Sequence, residues 1–278
     1  MRIALSNIAW DASEDEDVAA LLNKYGVDAI DAVPGKYFPD LASASAQEML
    51  NVKTWWAERG IQITGMQALL FGTTGLSLFG DEAPREAMFR QLSAVCRIGG
   101  GLGAERLVFG SPKNRDRGSL SDADVLEQAL PFFRRLGDVA EQNGVLICLE
   151  PNPTHYGANY MTTSAETAQV VRAVAHPAVR MQLDTGALTL NGEDVAVVLD
   201  DCASLIGHIH ASEPDLLPLG DGGTDHARVY AALVSRLPHH VVSIEMVATK
   251  TEPHLVSIER ALQVALRAYR PDVAEVSA

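Results

Sequence analysis

The sequence predicts an α/β fold in which eight parallel strands, each followed by a helix, close into one (β/α)8 barrel. Three observations point there. Short apolar runs alternate with helical stretches along the chain, which favours a parallel sheet, and a count of eight units favours closure. The 278 residues, 47% of them hydrophobic, can bury a large core and match the usual size of such a barrel, although a doubly wound sheet would fit the length as well. No linker or shift in composition marks a second domain, so residues 1–278 are expected to form a single unit.

Residues 2–9 alternate as a first strand. Ser13-Glu14-Asp15-Glu16 has the form of a capping box, predicting a helix through Tyr25 and a structural reason for the acid run. Residues 27–33 make a second strand with Asp31 near its end, closed by Pro34-Gly35. A helix rich in Ala and Gln runs to Glu58 and stops at Gly60, and residues 61–66 form a third strand ending near Gln67. Residues 71–81 mix glycines and apolar residues without a period and read as a loop over the site.

From Pro84 a helix carries Phe89, Leu92, Val95 and Cys96 on one face. The cluster Gly99-Gly100-Gly101-Leu102-Gly103 then precedes the strand 106–109; a dinucleotide fingerprint must follow its strand and open a helix, so the context is wrong for one. Residues 122–142 form a long helix with Leu126, Leu130, Phe133, Leu136 and Ala140 directed inward, stopped by Asn143-Gly144. Thr163-Ser164-Ala165-Glu166 is a second capping-box start, for a helix to Ala175, and further helices are predicted over 194–200, 227–237 and 255–268.

The remaining strands carry the chemistry. Val145-Leu146-Ile147-Cys148-Leu149 runs into Glu150, Val179-Arg180-Met181-Gln182-Leu183 into Asp184, Leu205-Ile206-Gly207-His208-Ile209 into His210, and Val241-Val242-Ser243-Ile244 into Glu245. In barrels of this kind the reacting groups sit at the carboxyl ends of the strands. Three carboxylates and one imidazole suit a single catalytic divalent ion, Mn²⁺ first, with Mg²⁺, Co²⁺ or Zn²⁺ as alternatives. A lone acid at a strand end often caps the following helix, as Asp184 before Thr185-Gly186 could, but four ligand-type residues at four successive strand ends exceed that explanation. Strand residues two apart share a face, which puts His208 beneath His210, Ser243 beneath Glu245, Gln182 beneath Asp184 and Cys148 beneath Glu150, where several could support the ligands. A satisfied interior histidine is an equal reading of His208.

The formal net charge of −14 opposes nucleic acid and anionic membrane surfaces as partners, leaving a small molecule. Three Cys without finger spacing suggest reduced, packed thiols, the opening residues lack a signal-peptide pattern, and no window has the apolar length of a membrane span, so a cytoplasmic protein is expected.

The motifs Leu149-Glu150-Pro151-Asn152-Pro153, Gln182-Leu183-Asp184-Thr185-Gly186, Gly207-His208-Ile209-His210 and Ser243-Ile244-Glu245-Met246, with Phe109-Gly110-Ser111-Pro112, resemble those of the xylose isomerase-like TIM barrel superfamily, most of all its sugar isomerase/epimerase branch with the ketose 3-epimerases. The resemblance implies that Glu150, Asp184, His210 and Glu245 bind the metal and that Glu150 and Glu245 exchange a proton on a carbon next to a carbonyl. Such a carbon acid is too weak to yield its proton to a carboxylate unaided, so a cation must hold the developing enediolate, and two bases on opposite faces permit inversion.

Two positions depart from the epimerase pattern: Ala187 and Leu216 stand where the family usually has a substrate-contacting histidine and arginine. Replacement contacts are expected from Lys113 and Arg115, placed to clamp a phosphate or carboxylate, from Asn152, Tyr156 and His208, and from Asn7 and Gln67 as hydroxyl partners. Solvated loop charges and ordinary loop packing explain several of these nearly as well. Alternative functions are an inosose or dehydroshikimate dehydratase-like lyase and a non-catalytic sugar-binding barrel. By analogy with related barrels, a homodimer or homotetramer is expected.

Overall fold

Runs of four to seven mostly apolar residues are long enough for buried strands and too short for helices. A computed structural model, which describes residues 1–271, pairs eight of them in parallel and in chain order: β1 (Arg2–Ser6), β2 (Ala29–Ala32), β3 (Gln62–Met66), β4 (Arg106–Phe109), β5 (Leu146–Leu149), β6 (Val179–Asp184), β7 (Ile206–Ser212) and β8 (Val241–Glu245). β8 pairs with β1 through Arg2 to Leu5, so the sheet has no free edge. The barrel predicted from the alternation is the barrel observed. The inner face of the helix ring and the strands form one apolar cluster that includes Leu5, Ile30, Met66, Phe109, Leu149, Leu183, Ile209 and Ile244.

Four local expectations need correction. β1 stops at Ser6, and Asn7–Ala9 turns as a 3-10 helix whose Ile8 N–H donates to the Ser6 hydroxyl. The first capping box is Asp11 with Glu14, not Ser13 with Glu16, because the Glu14 carboxylate reaches back to the Asp11 N–H at 2.9 Å; the helix Asp15–Lys24 follows it. In the helix Asp122–Gln142 the inward stripe is Val125, Ala129, Phe132, Phe133, Leu136 and Ala140, whereas Leu126 is 39% exposed. Edge contacts of Phe133 with Phe109 and Phe132, both at 5.6 Å between ring centroids, fix that rotation. Finally, Thr163 caps the helix Ser164–Val174 as expected, its hydroxyl accepting from the Glu166 N–H at 3.1 Å, but the Glu166 carboxylate returns to the Thr162 N–H at 2.7 Å and not to Thr163, so only half of the second box forms.

The glycine cluster opens no nucleotide site. It is the last turn of the helix Glu82–Leu102, where a side chain at Gly100 would come within 2.6 Å of the Asn143 carbonyl oxygen; the small residues let neighbouring helices approach. Cys96, Cys148 and Cys202 are free and buried, as the odd count suggested, and among the described residues no helix is long and apolar enough to cross a membrane.

Candidate metal centre

Parallel pairing aligns the strand ends and so aligns what they carry. Asp184 stands beside His210 and His210 beside Ser243, which places Glu245 two residues further along β8, opposite Ser212. Glu150 follows β5, its N–H donating to the Phe109 carbonyl at the end of β4. The four side chains converge. Each offers a donor atom, and all four atoms lie within 4.8 Å of one another.

His210 Nδ1 is 3.1 Å from Glu245 Oε2, 3.5 Å from Glu150 Oε1 and 3.9 Å from Asp184 Oδ2. Donors at about 2.1 Å from one octahedral ion stand roughly 3 Å apart when adjacent and about 4 Å apart when opposite, so the spacing fits a single ion. Electrostatics agree. Burial, and then the charges of Glu245 and Glu150, push the Asp184 carboxyl up to about 8. Burial opposes charge on His210, but the Glu245 and Glu150 carboxylates raise its pKa well above the ordinary value. Burial would also neutralise Glu245, yet the adjacent His210 holds it below its usual range. Crowded carboxylates that one imidazolium cannot neutralise are the residue set a divalent cation relieves.

The candidate ligands are held from outside. Asp184 does two things at once: Oδ1 accepts from the Ala187 N–H at 2.6 Å, capping the helix Thr185–Asn191, while Oδ2 faces the cluster and accepts from Ser212 Oγ at 2.7 Å. The capping role and the ligand role are compatible. Gln67 Nε2 donates to Glu245 Oε1 at 2.9 Å, and Asn152 Nδ2 donates to Glu150 Oε2 at 2.9 Å. Gly110 leaves room for that carboxylate, since a Cβ there would sit 2.4 Å from Glu150 Oε2. Beneath the site His208 Nε2 lies 2.8 Å from Asp31 Oδ2, and His208 Nδ1 meets the Gln182 amide at 3.0 Å. Burial lowers the His208 pKa against the pull of Asp31, and Asp31 Oδ2 is also 4.0 Å from His210 Nε2.

A cavity of about 830 Å³ opens from the cluster, with Gln67, Glu150 and Glu245 among its lining residues and the segment after β3, including Leu69 and Phe71, along one side. Of the other substrate contacts the sequence pointed to, Asn7, Lys113, Arg115, Asn152, Tyr156 and His208, none is in that lining. Asn152 grips Glu150, and the buried Arg115 grips Asn152 through Nη2. Burial lowers the Arg115 pKa to about 10, with Glu150 opposing the shift. Arg115 therefore supports the site from behind and does not face the cavity. Lys113 is exposed on the turn Pro112–Arg115 and is not part of the lining. Asn7 is spent internally, its Oδ1 accepting from the Val33 N–H at 2.7 Å and its Nδ2 meeting the Tyr37 hydroxyl at 3.2 Å. Tyr156 accepts from the Asp215 N–H at 2.8 Å and stands outside the lining, and His208 lies in the layer below.

Gly110, Ser212 and Asp31 gain functions that sequence reading did not give them; an acid near a strand end and a glycine just past one are the faint signals. Glu213 anchors the loop after β7 by accepting from Gly220 and Thr224 N–H groups at 2.7 and 2.8 Å and meeting His226 at 3.1 Å.

Known proteins match both sequence and architecture. Residues 19–269 match the family model described as the xylose isomerase-like TIM barrel. Among solved structures, D-psicose 3-epimerase with D-tagatose from Clostridium cellulolyticum H10 superposes with a TM-score of 0.78 at 17% identity, covering 98% of this chain and 99% of that one. The 3-keto-D-glucoside 4-epimerase YcjR from E. coli gives a TM-score of 0.78 at 17% identity over 95% and 99% of the two chains. The IOLI protein with a zinc atom bound gives 0.74 at 18% identity over 98% and 99%. With a family model covering nearly the whole length, the chain belongs to the xylose isomerase-like TIM barrel family.

Proposed function

We propose that the protein is a divalent-metal-dependent sugar isomerase or epimerase that moves a proton on a carbon next to a carbonyl. The convergence of Glu150, Asp184, His210 and Glu245 at the mouth of the barrel carries this reading. The family's sugar epimerases support the class, and the zinc atom bound by one related barrel supports a cation. The bound cation would stabilise negative charge developing on the substrate oxygen.

The chain's own residues do the rest. Glu245 and Glu150 reach the cavity from different strands, so one takes the proton and the other returns one to the opposite face. Gln67 fixes Glu245 through Nε2. Asn152 fixes Glu150, and Asp184 and His210 are held by Ser212 and the layer beneath.

The experiment is a screen of ketoses, inososes and keto-glycosides with protein loaded with Mn²⁺ in deuterated buffer. Deuterium uptake at one carbon with no other change in mass is expected. Loss of a water's mass would move the assignment to a dehydratase, and no exchange with any of these classes would leave only a carbohydrate-binding barrel.

A further inference from the structure

The cavity has two unlike ends. At the barrel mouth it presents the metal-site carboxylates and Gln67; toward the loops after β2 and β3 its wall is mostly apolar, with Val33, Phe38, Leu41, Leu69 and Phe71 beside Lys36, Asp40 and Thr73, and Leu216 lines it too. A monosaccharide has about a dozen non-hydrogen atoms and at protein packing density fills only roughly a third of this volume. Leu216 strengthens the point independently. From the turn after β7 it adds a further apolar side chain to the lining, supplied by a different loop from the rest of the wall. Phe71 is 82% exposed at the rim, an aromatic face without a partner of its own.

The charges exclude a second kind of ligand. Among the described lining residues Lys36 is the cation, and its amine already donates to the Asn7 and Trp10 carbonyl oxygens and is surrounded by Asp11, Asp15 and Glu14. Arg115 is sealed behind Asn152 and Lys113 stands outside. A phosphate or carboxylate on the substrate would find no free cation and would meet Asp40 at the lining instead.

From these observations we infer that the substrate is an uncharged sugar carrying an aromatic substituent, with the polyol and carbonyl at the carboxylates and the ring against Phe71, Leu69 and Leu216. The inference rests on the isomerase reading for the polar end and stands on the wall for the other. It replaces the expectation of a phosphate clamp drawn from Lys113 and Arg115.

Binding separates the two claims. Phenyl and methyl β-glycosides of glucose, galactose and mannose, each also as the keto-glycoside that carries a ring carbonyl, and glucose 6-phosphate, are titrated by calorimetry into the protein loaded with Mn²⁺. At least one phenyl glycoside is expected to bind about tenfold or more tightly than its methyl counterpart, and glucose 6-phosphate more weakly than either. Phe71→Ser, at an exposed position that does not threaten folding, removes most of the phenyl preference, and Leu216→Arg raises the affinity for glucose 6-phosphate. Equal affinity for every phenyl and methyl pair, absence of phenyl-glycoside binding, or tightest binding of the phosphate overturns the inference. Deuterium exchange on unsubstituted ketoses in those same cases would leave the isomerase reading standing.

Discussion

Arg115 donates through Nη2 to Asn152 Oδ1, and the other end of the same amide donates to Glu150. A guanidinium that is 1% exposed thus sets the orientation of a carboxylate it does not touch. Its Nε and Nη1 have no protein partner, so the arrangement is costly for folding and its worth lies in geometry. Arg115→Met, of similar length and apolar, should melt within a few degrees of the wild type or above it, while kcat/KM falls roughly 10- to 100-fold as Asn152 loses its anchor. Arg115→Lys should not restore activity, because one ammonium cannot reproduce the fork. A variant that turns over at the wild-type rate would remove Arg115 from the site's support.

Stability should depend on pH in a direction set by Asp184 and His210. Both have folded pKa values raised above their ordinary ones, Asp184 from 3.8 to about 8. The native state then binds more protons than the unfolded chain, so the stability they contribute is complete below the ordinary values and is lost as pH rises through the raised ones. Metal-stripped protein should therefore melt at falling temperature between about pH 4 and about pH 8, and the gain from added Mn²⁺ should grow over the same interval. Differential scanning fluorimetry with and without chelator measures this; a gain independent of pH would argue against ionisation of Asp184 on metal binding.

Gly110 predicts a small substitution with a local effect. A methyl group there meets only the end of the Glu150 side chain at 2.4 Å, which can swing aside without disturbing the backbone. Gly110→Ala should fold normally, with circular dichroism and melting near those of the wild type. Its metal affinity, read by competition with a chromogenic chelator, should fall by about tenfold or more.

Glu150→Gln and Glu245→Gln each remove a proton acceptor while keeping shape. Deuterium exchange into substrate should drop by about three orders of magnitude or more in either variant. If both variants, still loaded with metal, exchange protons at the wild-type rate, the assignment of two bases is wrong.

Much of this molecule could be read from its residues, and the limits have a physical pattern. The eight strands and the four converging side chains were visible because each strand is a contiguous apolar run and each of those side chains stands at or near the end of one, a signal carried within a few residues. The helix register of Leu126 was not, because Val125 and Leu126 are equally apolar and only the packing of Phe133 on Phe109 decides between them. Likewise nothing local separates Arg115, buried behind Asn152, from Lys113, exposed two residues earlier. The partners that decide, Asn152 and Glu150, come from the next strand and loop, across dozens of residues of chain. Asn7 was a fair candidate for a sugar hydroxyl until β2 delivered the Val33 N–H to it.

The order of strands around the barrel has one more consequence. All four converging side chains come from the second half, just past β5, at the ends of β6 and β8 and two residues before the end of β7, whereas most of the opposing wall comes from segments following β1 to β4. On the proposed reading, reactivity and recognition would be inherited on separate halves of one gene product. Exchanging the front-half loops for those of a relative could retarget the molecule while its ion stays in place, and such chimaeras offer a direct route to new sugar conversions.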